Sequence, residues 1–213
     1  MADLSFPSPA SVEALFTRPQ GYVFARWGRP IVPVVFGVDD ATLAIVKGGI
    51  EAVVALAGHK MAEHDPELGA NLMVFFCRDW DELTGVPNLD RLIEGLGPLV
   101  ARLEAQGANQ YRMFRFDESG AIRAAFVFLR MDAALSEVPA EVLALDQAVR
   151  MICLWADGAF AHGVLVQAGS GQAVLHPAVA AVIRAAYDPV LPGSARDGAH
   201  ALRLFARLAA GDA

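Results

Sequence analysis

The order of apolar runs along the chain is the feature that most constrains its fold. Residues 31–36 and 71–77 are continuous apolar runs typical of buried strands, and a helical apolar periodicity separates them. A second helical pattern covers residues 89–103, and two further strand patterns, 111–116 and 122–130, are joined by turn residues. The order strand, helix, strand, helix, hairpin predicts an α+β fold in which a mixed β-sheet carries packed helices.

The first long helix carries its own start and stop signals. Asp39 and Asp40 are suitable N-cap residues, and Gly58 is a typical C-terminal signal. Inside this helix stand two adjacent glycines, Gly48 and Gly49. Because each glycine costs about 1 kcal/mol relative to alanine in a helix, we expect another element to pack closely against this pair.

Helical patterns also dominate the second half of the chain. The amphipathic segment 89–103 is expected to bend at Pro98. Another helix is predicted to begin near residues 136–139 and to run to about Trp155, and Pro177 is expected to begin the next one. Residues 1–20, which are punctuated by proline and serine, are predicted to form an N-terminal arm, and residues 21–213 to form a single α+β domain.

Composition and charge exclude several classes of function. The chain is 55% apolar and has 24 acidic against 17 basic residues, so a nucleic-acid partner is not expected. No apolar stretch reaches the ~18 residues of a membrane span, and the N-terminus lacks a secretory pattern, which predicts a cytoplasmic protein without membrane partners. Cys77 and Cys153 lie in apolar runs and are expected to be buried free thiols. No nucleotide-binding glycine motif is present, so no cofactor is predicted.

The densest group of candidate metal ligands follows the first long helix. His59, Glu63, His64 and Asp65 offer two imidazoles and two carboxylates, which are donors that zinc accepts. A spacing of five residues does not bring the two histidines onto one helical face, and Gly58 ends the helix before them. A solvated, charged loop is therefore the expected structure, and a metal site at His59 and His64 remains the alternative.

Three polar residues stand in the otherwise apolar helix that ends near residue 155. Asp146, Gln147 and Arg150 have two explanations. An amphipathic helix must expose a polar face, and these residues satisfy that requirement. Alternatively, they line a ligand cleft between this helix and the edge of the hairpin. They are the candidate binding residues of the chain, and no catalytic residue is predicted.

Three C-terminal segments carry a family resemblance: residues 120–130, the helix 144–157 and residues 185–191, of which Tyr187-Asp188-Pro189 is the most specific part. They resemble an uncharacterised bacterial domain family whose members are similar to zincin metallopeptidases. In zincins the helix after a hairpin strand bears an H-E-x-x-H motif, in which the histidines hold zinc and the glutamate is the general base.

This resemblance implies a zincin-like fold without zinc chemistry. The motif falls on Leu145, Asp146 and Val149, and neither leucine nor valine coordinates a metal. The leading prediction is a non-catalytic domain with a binding or scaffolding role in a bacterial cytoplasm. The alternative is a metal-dependent hydrolase with a relocated site near His59 and His64. A further alternative is a subunit of a homodimer, because small residues in segment 177–210 permit close helix packing.

Overall fold

A mixed four-stranded sheet lies at the centre of the fold. The computed structural model describes residues 8–160, 163–169 and 171–211. The described elements are, in chain order, α1 (Pro9–Ala14), β1 (Thr17–Arg18), β2 (Gly21–Tyr22), β3 (Phe24–Ala25), β4 (Pro33–Phe36), α2 (Asp40–Leu56), β5 (Leu72–Cys77), a 3-10 helix (Trp80–Gly85), α3 (Leu89–Leu92), α4 (Leu96–Ala105), β6 (Gln110–Phe116), β7 (Ile122–Arg130), α5 (Ala133–Ser136), α6 (Ala140–Ile152), β8 (Leu165–Gln167), β9 (Ala173–Leu175), α7 (Pro177–Ala186), β10 (Ser194–Ala195) and α8 (Ala199–Gly211).

The central sheet has the strand order β4-β5-β7-β6. β4 pairs with β5 in parallel, β5 pairs with β7 in parallel, and β6 returns antiparallel to β7. This confirms the predicted mixed sheet, in which a βαβ unit is followed by a hairpin. β4 begins at Pro33 and lies at one edge of the sheet, where a missing backbone N–H does not break the ladder. β6 forms the opposite edge.

Strands β5 and β7 are buried on both faces, which explains their continuous apolar runs. In β7, Ala125, Val127 and Leu129 belong to one apolar cluster, and Phe126 and Phe128 belong to a second cluster on the opposite face. The first cluster includes α2 and α6, which pack against each other. The second includes α4 and the 3-10 helix. The chain is therefore a single α+β domain with helices on both faces of its sheet.

The break in the amphipathic segment 89–103 lies at a glycine rather than at the proline. Gly95 adopts a left-handed backbone conformation with φ of 75°, and it separates α3 from α4. Pro98 is the third residue of α4, where proline is tolerated because the first-turn N–H groups have no partner inside the helix. The predicted bend at Pro98 is therefore wrong.

The N-terminal segment contributes directly to the core. Val12 and Phe16 are fully buried, and the Phe16 ring stacks on the Trp155 ring with the centroids 5.1 Å apart. Of the predicted arm, residues 1–7 lie outside the described ranges. Cys77 and Cys153 are buried free thiols, as predicted. Within the described ranges, no helix is long and apolar enough to cross a bilayer.

Gly49 is a point of close approach between α2 and α6. A methyl group added at Gly49 would lie 3.0 Å from Cβ of Ala144 and 3.1 Å from its carbonyl carbon. The neighbouring Gly48 has open space at the same position. The expected close packing is therefore confirmed at Gly49 and absent at Gly48.

Leucine substitutions at these two glycines test the helix contact. Gly49→Leu should lower the free energy of unfolding by about 1–3 kcal/mol, because the side chain forces α2 away from α6. Gly48→Leu is the matched control and should raise it by up to about 1 kcal/mol through helix propensity. Urea unfolding measures both values, and equal effects at the two positions would contradict the close approach.

His200 is buried in the core beside Tyr22. Its Nδ1 lies 2.7 Å from the Tyr22 hydroxyl, and its ring stacks on Phe24. Nε2 is buried and has no hydrogen-bond partner among the described residues. Burial, together with the charges of Arg203 and Arg26, lowers the pKa of His200 to about 4. The imidazole is therefore neutral in the folded chain at pH 7.

Acid should destabilise the fold through His200. Between the ordinary pKa of 6.5 and the folded value of about 4, the unfolded chain binds a proton that the folded chain does not. The free energy of unfolding should therefore decrease as the pH is lowered from about 6.5 to about 4. His200 accounts for up to about 3 kcal/mol of this decrease. His200→Gln should flatten this part of the pH dependence in denaturant unfolding, whereas an unchanged slope would exclude His200 as its source.

Candidate functional site

The polar residues of α6 form a hydrogen-bonded group rather than a simple solvated face. Nε of Arg150 donates to both carboxylate oxygens of Asp146, at 2.8 and 3.0 Å. The Gln147 side chain is buried, and its Nε2 donates to Asp146 Oδ2 at 3.0 Å. The structure therefore brings the three predicted residues together.

Gln147 also connects α6 to the edge strand β6. Its Nε2 donates to Oε1 of Gln110 at 2.8 Å, and its Oε1 accepts a hydrogen bond from Nη1 of Arg112 at 2.7 Å. Arg112 makes a second, longer bond to Gln110 Oε1 at 3.3 Å. One buried amide thus orients a guanidinium that projects from β6 towards α6.

Arg112 has no carboxylate partner among the residues that the structure describes. Its hydrogen bonds go to neutral amide oxygens, although it lies in a partly buried position. Burial and the neighbouring Arg150 lower the pKa of Arg112 to about 10, so the group is still a cation at pH 7. The charge of the Asp146 carboxylate, which is itself bound to Arg150, opposes this lowering without forming a hydrogen bond or an ion pair with Arg112. A desolvated cation that lacks a directly paired carboxylate is unfavourable, and an anion bound to the guanidinium would relieve that cost.

A cavity of about 530 Å³ opens beside Arg112, between β6 and the C-terminal end of α6. We name it the arginine cleft. Three of its lining residues are arginines and one is an aspartate, whereas the whole chain has a net charge of −7. The lining residues are Arg18, Gln110, Tyr111, Arg112, Phe114, Phe116, Arg150, Leu154, Trp155, Ala156, Asp157 and Phe160.

The end of α6 shapes one wall of this cleft. The helix was predicted to continue to about Trp155 but ends at Ile152. Cys153 is extended and forms a β-bridge with Arg26, and the Leu154 N–H then donates to the carbonyl of Ala25. Backbone pairing with the N-terminal segment therefore replaces the last helical turn and places residues 154–157 along the cleft.

Aromatic rings and a second arginine complete this wall. The Trp155 and Phe160 rings meet edge to face, with centroids 4.9 Å apart, and the Arg150 guanidinium lies 5.6 Å from the Phe160 centroid. Arg18 donates to the Trp155 carbonyl, and its Nη1 lies 3.5 Å from the exposed carboxylate of Asp157. The cleft therefore offers both cationic donors and apolar surface.

The cavity lies between α6 and the edge of the hairpin, where the sequence predicted a ligand cleft, and the binding role stays a prediction; the sequence did not indicate Arg112. Arg150 lines the cavity, whereas Asp146 and Gln147 support it from α6 and are not among its lining residues. Arg112 was missed because only the pairing of β6 with β7 and its position next to α6 show which way the side chain points. The available signal was an arginine in a predicted strand, two residues from Gln110 and from Phe114 on the same face.

Of the two histidines proposed as an alternative metal site, His59 is engaged in another contact and His64 is exposed. Nε2 of His59 donates to the carbonyl of Arg29 at 2.8 Å, and burial lowers the pKa of His59. The Asp65 carboxylate accepts bonds from the backbone of Glu67 and from the Asn71 side chain. Across residues 8–160, 163–169 and 171–211, no group of three or more His, Cys, Asp or Glu side chains is arranged to hold a metal.

Comparison of the chain with models of protein families, with curated proteins and with solved structures finds no match. The resemblance to zincin-like domains therefore stays a prediction. On the helix where the zincin motif would fall, Val149 is fully buried in the core and Leu145 is partly buried. The chemistry of the cleft itself is therefore the basis on which a function can be assigned.

Removal of the Gln147 amide should make the burial of the Arg112 guanidinium more costly for the stability of the folded chain. Gln147→Leu leaves the guanidinium without its shortest hydrogen bond and should lower the free energy of unfolding by about 1–3 kcal/mol. Adding Arg112→Met should recover part of this loss, giving a coupling of about 0.5–3 kcal/mol in a double-mutant cycle. Gln106→Leu, at an exposed position, is the matched control for urea unfolding. Additive effects would show that the two side chains do not interact.

Proposed function

We propose that this protein is a non-catalytic binding protein whose arginine cleft takes a small anion attached to an apolar or aromatic group. The observation that carries this proposal is the guanidinium of Arg112. It lies at the cleft, its hydrogen bonds go to amide oxygens, and no carboxylate pairs with it among the described residues.

The chemistry of the lining residues defines the ligand class. A guanidinium presents a planar set of donors that matches the two oxygens of a carboxylate or phosphate. Arg112, Arg150 and Arg18 supply the cationic part, and the Trp155 and Phe160 rings supply apolar surface. A ligand with an anionic head and an apolar body would use both parts of the cleft.

The size and charge of the cleft support this class. A volume of about 530 Å³ lies within the ordinary range for small-molecule sites. Three arginines with one aspartate give a cationic region on an acidic protein, and such a local excess attracts small anions. The rest of the chain carries a net negative charge and would repel a long polyanion.

The non-catalytic part of the proposal rests on the zincin resemblance. Leu145 and Val149 stand where that motif has its metal-binding histidines, and their side chains have no donor atoms. A cytoplasmic location also stays a prediction from the sequence. Stoichiometric zinc in protein purified without added metal, and its loss on His64→Ala, would instead favour the hydrolase with a relocated site.

Phenyl phosphate is a suitable probe of the cleft. The chain should bind it more tightly than inorganic phosphate, because the ring adds apolar contact, and benzylamine should not bind. Arg112→Gln should weaken phenyl phosphate binding by about 10- to 100-fold, the expected effect of losing a charge-assisted hydrogen bond. Isothermal titration calorimetry measures these affinities.

The control for this experiment is Arg78→Gln. Arg78 is exposed and lies outside the cleft lining, and the substitution changes net charge by the same amount. Its affinity for phenyl phosphate should equal that of the unmodified chain. Comparable binding of benzylamine and phenyl phosphate, or an Arg112→Gln variant with full affinity, would overturn the proposal.

A further inference from the structure

Building on the proposed anion cleft, we infer that β6 accepts an extended acidic peptide segment of a partner protein as an added strand. An acidic side chain of that segment would occupy the arginine cleft, and its backbone would pair with the free edge of β6. This assigns the anion of the proposed function to a peptide carboxylate.

β6 is the terminal strand of the central sheet. It pairs with β7 on one side, and no described element pairs with its other side. The Arg130 N–H donates to the carbonyl of Asn109, which sets the phase of the antiparallel ladder. Because alternate residues bond to the neighbouring strand, the backbone groups of Gln110, Arg112 and Phe114 point to the free edge. These groups are the template that strand addition requires.

The edge and the cleft coincide. Gln110, Arg112 and Phe114 have their side chains on the same face of the strand because they alternate along it, and all three line the arginine cleft. A strand added to this edge would place every second side chain over the same face. Backbone pairing and carboxylate binding by Arg112 are therefore geometrically compatible in one ligand.

The opposite face of the sheet beside β6 is also cationic. A second hollow of about 450 Å³ lies there and is lined by Arg91, Arg115 and Arg123, with no acidic residue in its lining. Leu92 and Phe116, which line the same hollow, are 46% and 44% exposed. Arg123 is paired with the Glu67 carboxylate at 2.9 Å, so Arg91 and Arg115 supply the cationic character of this hollow. The edge of β6 is thus flanked on both faces by arginines and apolar surface, which complement a segment that mixes acidic and apolar side chains.

A second copy of the chain is a poor occupant of this edge. β6 contains Arg112 and Arg115 and has no acidic residue. Pairing β6 with its own copy would bring four guanidinium groups into one two-stranded ribbon, and like charges across a strand pair are destabilising. The charge of the strand therefore favours an acidic partner over self-association.

Nucleic acid is also disfavoured as the occupant. A phosphodiester backbone cannot satisfy the alternating N–H and C=O groups that β6 presents at its edge, whereas a peptide backbone supplies both. The chain carries seven more acidic than basic residues, so an extended polyanion would meet repulsion beyond the edge. An acidic peptide of a few residues can contact the edge and its flanking hollows without extending over the acidic surface beyond them.

The test uses a capped hexapeptide, acetyl-Thr-Glu-Val-Glu-Val-Thr-amide, labelled for fluorescence anisotropy. The full chain should bind it, and lysine in place of both glutamates should abolish binding. An N-methylated version keeps the side chains but removes backbone donors, and it should bind at least about tenfold more weakly. Equal binding of the N-methylated peptide would show that side chains alone are recognised and would overturn strand addition.

Two variants at position 114 distinguish the contribution of the edge N–H to peptide binding from that of the side chain. Phe114→Pro removes an edge N–H without breaking a bond to β7, because proline is tolerated where the N–H faces away from the sheet. Phe114→Ala is the matched control, since it removes the same ring and keeps the N–H. The peptide should bind the alanine variant at least about tenfold more tightly than the proline variant, and phenyl phosphate should bind both equally.

The outcomes distinguish this inference from the function on which it rests. Phenyl phosphate binding without peptide binding would leave the anion cleft in place and overturn strand addition. Failure of both ligands would overturn both. Displacement of the peptide by a single-stranded oligonucleotide, or a concentration-dependent dimer that Phe114→Pro abolishes, would assign the edge to nucleic acid or to a second copy.

Discussion

Burial of β5 and β7 on both faces is the constraint that orders the rest of this structure. Their apolar runs leave no face for water, so helices must cover the sheet from both sides. α2 and α6 cover one face, and the 3-10 helix with α4 covers the other. Both strands also need a paired neighbour on each side, which places β4 and β6 at the edges of the sheet.

The arginine cleft results from this arrangement at the β6 edge. α6 reaches β6 through the Gln147 side chain and ends at Ile152, and residues 154–157 that follow the helix line the cleft beside the strand. Arg112 occupies this region with amide partners in place of a carboxylate. A desolvated cation without a directly paired carboxylate carries a cost in stability that a bound anion would reduce, and compromises of this kind are characteristic of binding sites.

Local signals in the sequence predicted the elements well. The Asp39 cap is observed, with its carboxylate accepting from the Thr42 N–H, and the 111–116 and 122–130 hairpin is β6 and β7. One error concerns which of two local signals ends a helix, and the other occurs where a tertiary contact overrides local preference. Gly95 rather than Pro98 separates α3 from α4, and pairing of Cys153 with Arg26 ends α6 before Trp155. Gly95 is a local signal inside the segment that competes with Pro98, whereas the pairing of Cys153 with Arg26 has no signature within its segment.

The sequence by itself determined the α+β class, the order of the four central strands and the helices between them, and the burial of both cysteines, because these follow from periodicity and hydrophobicity along short segments. It also indicated Arg150 and the neighbourhood of α6. Only the tertiary structure decided that Arg112, from another strand, stands opposite Gln147 and lacks a carboxylate partner among the described residues. That property depends on which residues of distant segments come into contact. A contact between two residues 35 positions apart produces no periodic pattern in the sequence.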